Sequence, residues 1–411
     1  MREMFTFLKN LKGNPKCIFM VEPLWGAPFN MFAPFATLYM FALGLGDVDI
    51  GLLLSIGMFA NFIMALLGGV LTDKFGRKRT LLIADFLCWS IPVLILAFAQ
   101  NFWWFLASAL FSSLVHIAVV AFECTWQDDT EESKLPKLVN WFHIFWLGAV
   151  FFALVSAYFV EHHDLVIVMR VIYLFAFISM SIRIVILTFT LKETERGKER
   201  MAATKNLSII QQLSGYKEVF FQIMRTHRMR RMLIWMPMVN IFMMITGTFF
   251  ALYATQNLEI SDYFLAYFPV IRAGVSLLFF LFIQNRLMGY NPKYLMAVGL
   301  VLYVAGHILL LIAPPQNITW LWAYALVDAW AASLFLPRLD ALLFGSIDPT
   351  ERARCRSLIN VVVLAATSPF GILAGFLSDM DRRLPFVLNM ILFICLFFLI
   401  LVPRRERLSN A

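Results

Sequence analysis

The chain has 411 residues, of which 61% are hydrophobic and 15% charged, and its formal net charge is +8. Soluble domains run at about 45–50% apolar and about 25% charged, and no soluble fold of this length could hide so much apolar surface. Disorder, a nucleic-acid partner and an ordinary cytosolic enzyme are excluded; an integral membrane protein remains.

Runs of about 20 apolar residues suffice to cross a bilayer core of roughly 30 Å. In chain order they predict twelve spans, at 18–43, 51–71, 80–99, 102–124, 141–160, 165–190, 232–254, 262–284, 294–313, 320–344, 357–378 and 385–402. The runs are too long for barrel strands and do not alternate, so helices are expected. The first run is too long for a cleaved leader. It carries Glu22, Pro23, Pro28 and Pro34 and has no small-residue cleavage site.

With the N-terminus placed in the cytoplasm, 28 of the 34 Lys and Arg fall in tails or cytoplasmic loops. Arg382 and Arg383 fall outside, and Arg170, Arg183, Arg272 and Arg338 fall within spans. That asymmetry follows the positive-inside rule. It predicts a multi-pass plasma-membrane protein with both termini cytoplasmic, so the basic charge serves topology in a lipid bilayer and implies no nucleic acid. The five cysteines, at 17, 88, 124, 355 and 395, share no outer loop and lack metal-site spacing. Neither disulfides, a metal nor a cofactor is expected.

The polar segment from Lys192 to Arg231 carries ten Lys and Arg and separates six spans from six. The expected organisation is a six-helix bundle over 1–191, a cytoplasmic linker over 192–231 and a second bundle over 232–411. Internal similarity supports a duplication. A shift of 210 pairs Trp25, Asn30 and Phe32 with Trp235, Asn240 and Phe242. A shift of 220 pairs Asp128, Thr130, Glu131, Lys134, Leu138 and Asn140 with Asp348, Thr350, Glu351, Arg354, Leu358 and Asn360. Two such halves can rock about a shared interface and expose a midplane site to either side in turn.

Between the second and third spans the chain reads Gly69-Val70-Leu71-Thr72-Asp73-Lys74-Phe75-Gly76-Arg77-Lys78-Arg79. This resembles the G-x-x-x-D-[RK]-x-G-R-[RK] signature of the major facilitator superfamily, in the expected loop. With twelve spans and the repeat, the resemblance covers essentially the whole chain. It implies an all-α integral membrane fold of two pseudo-symmetric six-helix bundles. The corresponding second-half loop keeps Gly289 but has Arg286 and Tyr290 where Asp73 and Arg77 stand, so gating falls to the first copy. Gly76 permits the tight turn, and Arg77 to Arg79 hold the loop on the cytoplasmic side. The resemblance implies that Asp73 latches the cytoplasmic side by meeting the positive end of the eleventh helix; a purely topogenic turn is the alternative. Glu131 and Glu351 are candidates to pair with Arg77 or Lys78 across that gate, or else cap their own helices.

Ionisable groups inside spans cost roughly 2.5–3.5 kcal/mol at a helix centre and require a partner or water. The resemblance places the first, second, fourth and fifth helices, with the seventh, eighth, tenth and eleventh, around the cavity. Candidate solute or coupling residues are then Trp25, Asn30, His116 and Glu123 on one wall, with Asn240, Arg272 and Asp328 on the other; Glu22, Asn61, His143 and Asn360 also fall on these helices. Arg272 and Asp328 lie at about 15 and 12 Å from the outer span ends. They form either a buried ion pair or an anchor for an anionic group. Ser112, His116 and Glu123 share one face of the fourth helix, a proton path or a structural histidine. Trp25 and Trp235 are ring-stacking platforms or interfacial anchors. Glu22 is placed near the cytoplasmic end, where a hydrated carboxylate is tolerable, with a functional role as the alternative; Asp85 and Arg183 are assigned to packing.

The expected activity is secondary transport of a small organic solute by alternating access, by a monomer, with protons as a candidate coupling ion. A drug or metabolite efflux antiporter is the alternative. It is weakened because the fourth helix has no Arg and the fifth has Gly148 with no Gly-Pro run. An enzyme or sensor on a transporter scaffold is the competing class. The chain shows no phosphate loop or nucleophile elbow.

Overall fold

The computed structural model describes residues 11–213, 227–287, 289–344 and 352–401. Among the described residues every regular element is helical. Eleven helices among the described residues are long and apolar enough to cross a membrane. The second to sixth spans are Asp47–Phe75, Arg77–Ala97, Phe102–Gln127, Lys137–His162 and Leu165–Thr190. The seventh to twelfth are Met229–Asn257, Asp262–Phe282, Pro292–Leu311, Ile318–Leu343, Leu358–Met380 and Leu384–Leu401.

The first span occupies residues 13–42 but is jointed. It runs as Gly13–Val21, Pro23–Phe32, a 3₁₀ turn Ala33–Phe35, and Ala36–Ala42. Pro23, Pro28 and Pro34 each remove an N–H from the helical ladder and crowd the preceding turn. The helices overrun the apolar stretches because polar residues finish them. The second span begins at Asp47, where the Asp49 carboxylate accepts from the Gly46 amide at 3.2 Å. It ends at Gly76, whose φ of +87° is left-handed. A five-residue π turn at Phe86–Ser90 interrupts the third span, and another at Tyr253–Asn257 closes the seventh.

The two bundles repeat each other in detail. The Tyr39 hydroxyl of the first span donates to Leu96 O of the third at 2.8 Å. The Tyr253 hydroxyl of the seventh donates to Leu310 O of the ninth at 3.3 Å, and both bonds cross 57 positions. These matched bonds set the repeat at a shift of 214, one helical turn beyond the 210 suggested by Trp25 and Trp235. The 210 register follows side-chain identity along one helix, whereas the bonds report where helices meet.

A continuous apolar core passes through both bundles on the side away from the termini, with Phe35, Tyr39, Tyr173, Phe249, Tyr253 and Phe386 fully buried in it. Each bundle has its own core nearer the termini, around Ile18, Leu81 and Leu138 in one and Met296, Leu300 and Phe335 in the other.

Candidate solute site and gates

The signature loop folds against the start of the linker. The Glu193 carboxylate accepts from the amides of Arg77 at 2.9 Å and Lys78 at 3.0 Å, capping the third span where its dipole is positive. The Arg77 side chain, 4% exposed, meets Asp73 at 2.7 Å and Asp128 at 3.2 Å and donates to Thr72 O at 3.3 Å. Thr194 donates to the same Asp128 oxygen at 3.2 Å. A linker helix, Glu195–Thr204, lies alongside. From it Thr204 donates to Asp73 O at 3.1 Å, and Lys74 reaches Leu207 O at 3.0 Å. The linker therefore begins as part of the first bundle.

Glu131 and Asp73 both find their partners within the first half of the chain. Glu131 does not reach Arg77 or Lys78; it pairs with Lys134 at 2.6 Å, both exposed. Asp128, three residues earlier and the C-cap of the fourth span, takes the place beside Arg77. Asp73 engages Arg77 of its own loop. Its expected counterpart, the start of the eleventh span, carries side chains outside the described residues, as do Glu351, Asp348 and Thr350.

Gly76 is required by geometry. A Cβ there would lie 2.6 Å from Glu193 Oε2 on a backbone of φ +87°. Gly76→Ala is expected to cost about 1–3 kcal/mol of strain and to lower the thermal unfolding midpoint in detergent. An unchanged midpoint would mean that the turn and Glu193 yield freely.

At the end away from the termini the second and eleventh spans touch backbone to backbone. Asp47 is buried and accepts two bonds from Arg382, each 3.1 Å, and one from the Ser378 hydroxyl. The Arg382 guanidinium also lies over the Phe41 ring at 5.4 Å. Two turns deeper, Ser55 Oγ accepts from the Ile372 amide at 2.6 Å, and the Ser368 hydroxyl donates to Ser55 O at 3.2 Å. A Cβ on Gly51 would lie 2.6 Å from Gly371 O, and one on Gly375 would lie 2.8 Å from Asp47 O. Small residues one turn apart permit this approach. Below the seam, Met58, Phe62, Ala65 and Leu66 pack on Val361 and Leu364. A cavity of about 400 Å³ sits at the rim, lined in part by Asp47, Asn257, Ser378 and Arg382.

Of the two walls, the structure brings several members together. His116 Nδ1 of the fourth span and Asn360 Nδ2 of the eleventh face each other across the bundles at 3.5 Å. Arg272 Nη1 and Asp328 Oδ2 lie 3.6 Å apart, beyond hydrogen-bond length, with side chains 35% and 12% exposed. Tyr303 and Tyr324 stand beside Arg272. Buried His307 bonds Tyr303 O at 3.0 Å and faces Asn389 Nδ2 at 3.4 Å; Asn389 also donates to Thr246 at 3.0 Å. Tyr303, His307 and Asn389, on the ninth and twelfth spans, were missed because those helices were expected at the periphery.

Others separate. Asn30 bonds back to Gly26 O at 2.7 Å on its own helix, and the Asn240 carbonyl is buried without a hydrogen-bond partner. Trp25 stacks on Phe29 at 5.0 Å and meets Trp89 edge-on at 5.1 Å, its indole nitrogen buried and unpartnered. Trp235 is buried in the second core. The common face of Ser112, His116 and Glu123 is interrupted, since the fourth span breaks between Phe102–Ser112 and Val115–Gln127. Glu123 is exposed near its inner end.

The largest correction concerns Glu22, Asp85 and Arg183. They are neither hydrated nor mere packing. Arg183 contacts Asp85 through Nη1 and Glu22 through Nη2, the latter at 3.4 Å, with all three side chains 4–5% exposed. Trp146 Nε1 donates to the other Glu22 oxygen at 3.1 Å. Matching Asp85 with Arg183 by depth and sign would have found half of this cluster.

Comparison with known proteins agrees with the architecture. The family model for the Major Facilitator Superfamily matches residues 25–290. No curated protein matches the chain. Among solved structures, the nucleoside transporter NupG superposes with a TM-score of 0.68 at 16% identity, over 95% of this chain and 98% of that one. The peptide transporter POT in complex with sulfate gives 0.70 at 15% identity, over 94% of each chain. A POT family transporter in complex with 5-aminolevulinic acid gives 0.71 at 12%, again over 94% of each. At these identities the likeness is one of fold, and the family match is what identifies the chain: it belongs to the major facilitator superfamily.

Proposed function

We propose that the chain is a secondary transporter of a small organic solute, working by alternating access in the plasma membrane as a monomer with both termini cytoplasmic. The observation that carries this reading is the Arg272–Asp328 pair. A guanidinium deep in the second bundle, held loosely by its carboxylate and one-third exposed, keeps donors free for an incoming group. An anionic group on the solute would take them, and Asp328 would orient the guanidinium. The seam of Asp47, Gly51, Gly371, Gly375 and Arg382 then acts as the outer gate, drawn here closed. Asp73 would form the inner latch by leaving Arg77 for the eleventh span as that side shuts.

The test is counterflow in proteoliposomes with a library of carboxylate-bearing, phosphate-bearing and neutral solutes. Saturable exchange of at least one solute, competed best by anions, is expected. Binding without translocation, accompanied by chemical turnover of a solute, would replace transport with catalysis.

A further inference from the structure

The buried cluster in the first bundle does not balance its own charge. Arg183 is permanently protonated, and two carboxylates, Glu22 and Asp85, meet it within a site almost closed to solvent. Fully ionised, the cluster carries one uncompensated negative charge, which a buried setting disfavours strongly. The sixth span gives Arg183 and the third gives Asp85 and the neutral thiol of Cys88. The fifth gives the Trp146 indole. The fourth gives the Phe122 ring, 5.9 Å from the guanidinium. Among the described residues, the charged groups acting on Glu22 are Arg183 and Asp85. Arg183 Nε is itself buried without an acceptor, so the guanidinium is not saturated where it lies.

The two carboxylates are unequal. Asp85 makes the tighter contact with Arg183, and Glu22 the looser one at 3.4 Å. Glu22 also sits at the joint between Gly13–Val21 and Pro23–Phe32. We infer that Glu22 is a reversible proton-binding site of the first bundle. A hydronium ion gives up a proton and becomes water; the proton forms an O–H bond on Oε2 and displaces Arg183 from that oxygen, while Oε1 remains the carbonyl that accepts from Trp146. Protonation leaves one carboxylate for one guanidinium and removes the Glu22–Arg183 tie between the first and sixth spans, leaving the Ser179 bond to Leu24 O at 2.7 Å as the hinge beside the joint. Loss of the proton ties them again. For the transporter proposed above this makes the proton the coupling ion. The protonation itself does not depend on that reading.

The test is infrared difference spectroscopy of the full chain in nanodiscs of phosphatidylcholine and phosphatidylglycerol, with no solute. The pH is stepped between about 9 and about 6, where exposed carboxylates, with pKa values of about 4, stay ionised. A carbonyl-stretching band of a protonated, buried carboxyl should grow as pH falls. Glu22→Gln should remove it. Asp85→Asn should remove it too, because one carboxylate then matches one guanidinium. Trp146→Phe, which alters no charge and should fold even if the others do not, should keep the band and move it to higher wavenumber, since Oε1 loses its donor. Absence of the band in the unaltered protein, its survival in Glu22→Gln or Asp85→Asn, or an unmoved band in Trp146→Phe would each overturn the inference. A protein that shows the band yet exchanges no solute in proteoliposomes retains the site and loses the transport reading. Solute exchange without the band means the reverse.

Discussion

Gly375→Val is expected to yield a folded protein that no longer transports, locked with the seam away from the termini held open. A Cβ at this position already lies 2.8 Å from Asp47 O and 2.9 Å from Gly51 Cα. Both atoms belong to backbone and cannot step aside as a side-chain tip would. Overpacking typically costs about 1–3 kcal/mol. Separating the helices would also break the paired Asp47–Arg382 contacts and the bond from Ser378. Charge-assisted hydrogen bonds contribute about 1.5–3 kcal/mol each, so the closed state should become a minor one. Gly375→Ala should act in the same direction but less. The measurement is labelling of a single cysteine introduced as S378C, after replacing Cys17, Cys88, Cys124, Cys355 and Cys395. Labelling should rise many-fold from the side opposite the termini. Wild-type exchange by Gly375→Val would remove the seam from the transport cycle.

The second large effect concerns Arg272 and Asp328, and the structure makes it asymmetric. Arg272→Gln strands Asp328, whose side chain is 12% exposed. Leaving a buried charge unpaired costs about 3–5 kcal/mol. Asp328→Asn leaves Arg272, which at 35% exposure can turn to water; a partner removed from a solvent-reaching charge costs about 1 kcal/mol or less. The double substitution Arg272→Gln with Asp328→Asn should recover most of the stability lost by Arg272→Gln alone. What it should not recover is affinity for anionic solutes, if Arg272 is the anchor. Thermal midpoints combined with binding isotherms separate the cases. A double variant that folds and transports anions normally would reduce the pair to scaffold.

Much of the fold was legible because a bilayer imposes a simple length rule. Leu165–Thr190 was placed to the residue, since a polar Asp164 precedes it and Leu191-Lys192 follows an unbroken apolar run. The jointed first span was harder. Its prolines were visible, but their effect on Glu22 depends on what the sixth span brings beside it. Gly51, Gly371 and Gly375 carry no local signal of contact, because one glycine on the second span reads the same whether it faces lipid or another backbone. Arg77 had three carboxylates within reach by sequence, Asp73, Asp128 and Glu131; only the turn after the fourth span chooses among them. The Arg272–Asp328 juxtaposition was readable from depth and charge, because one cation and one anion at similar depth have few other places to go.

The Glu193 clamp changes where the first moving body ends. Hydropathy puts its last rigid residue near Thr190, and the polar stretch that follows reads as forty residues of slack. Glu193, Thr194, Thr204 and Leu207 are instead fastened to the signature loop. When the bundles rock, the helix Glu195–Thr204 must travel with the first of them as an outrigger. The leash between the two bodies therefore starts at Leu207. A force or a modification applied to this helix would act directly on Asp73 and Arg77, without passing through the membrane-embedded part of the protein.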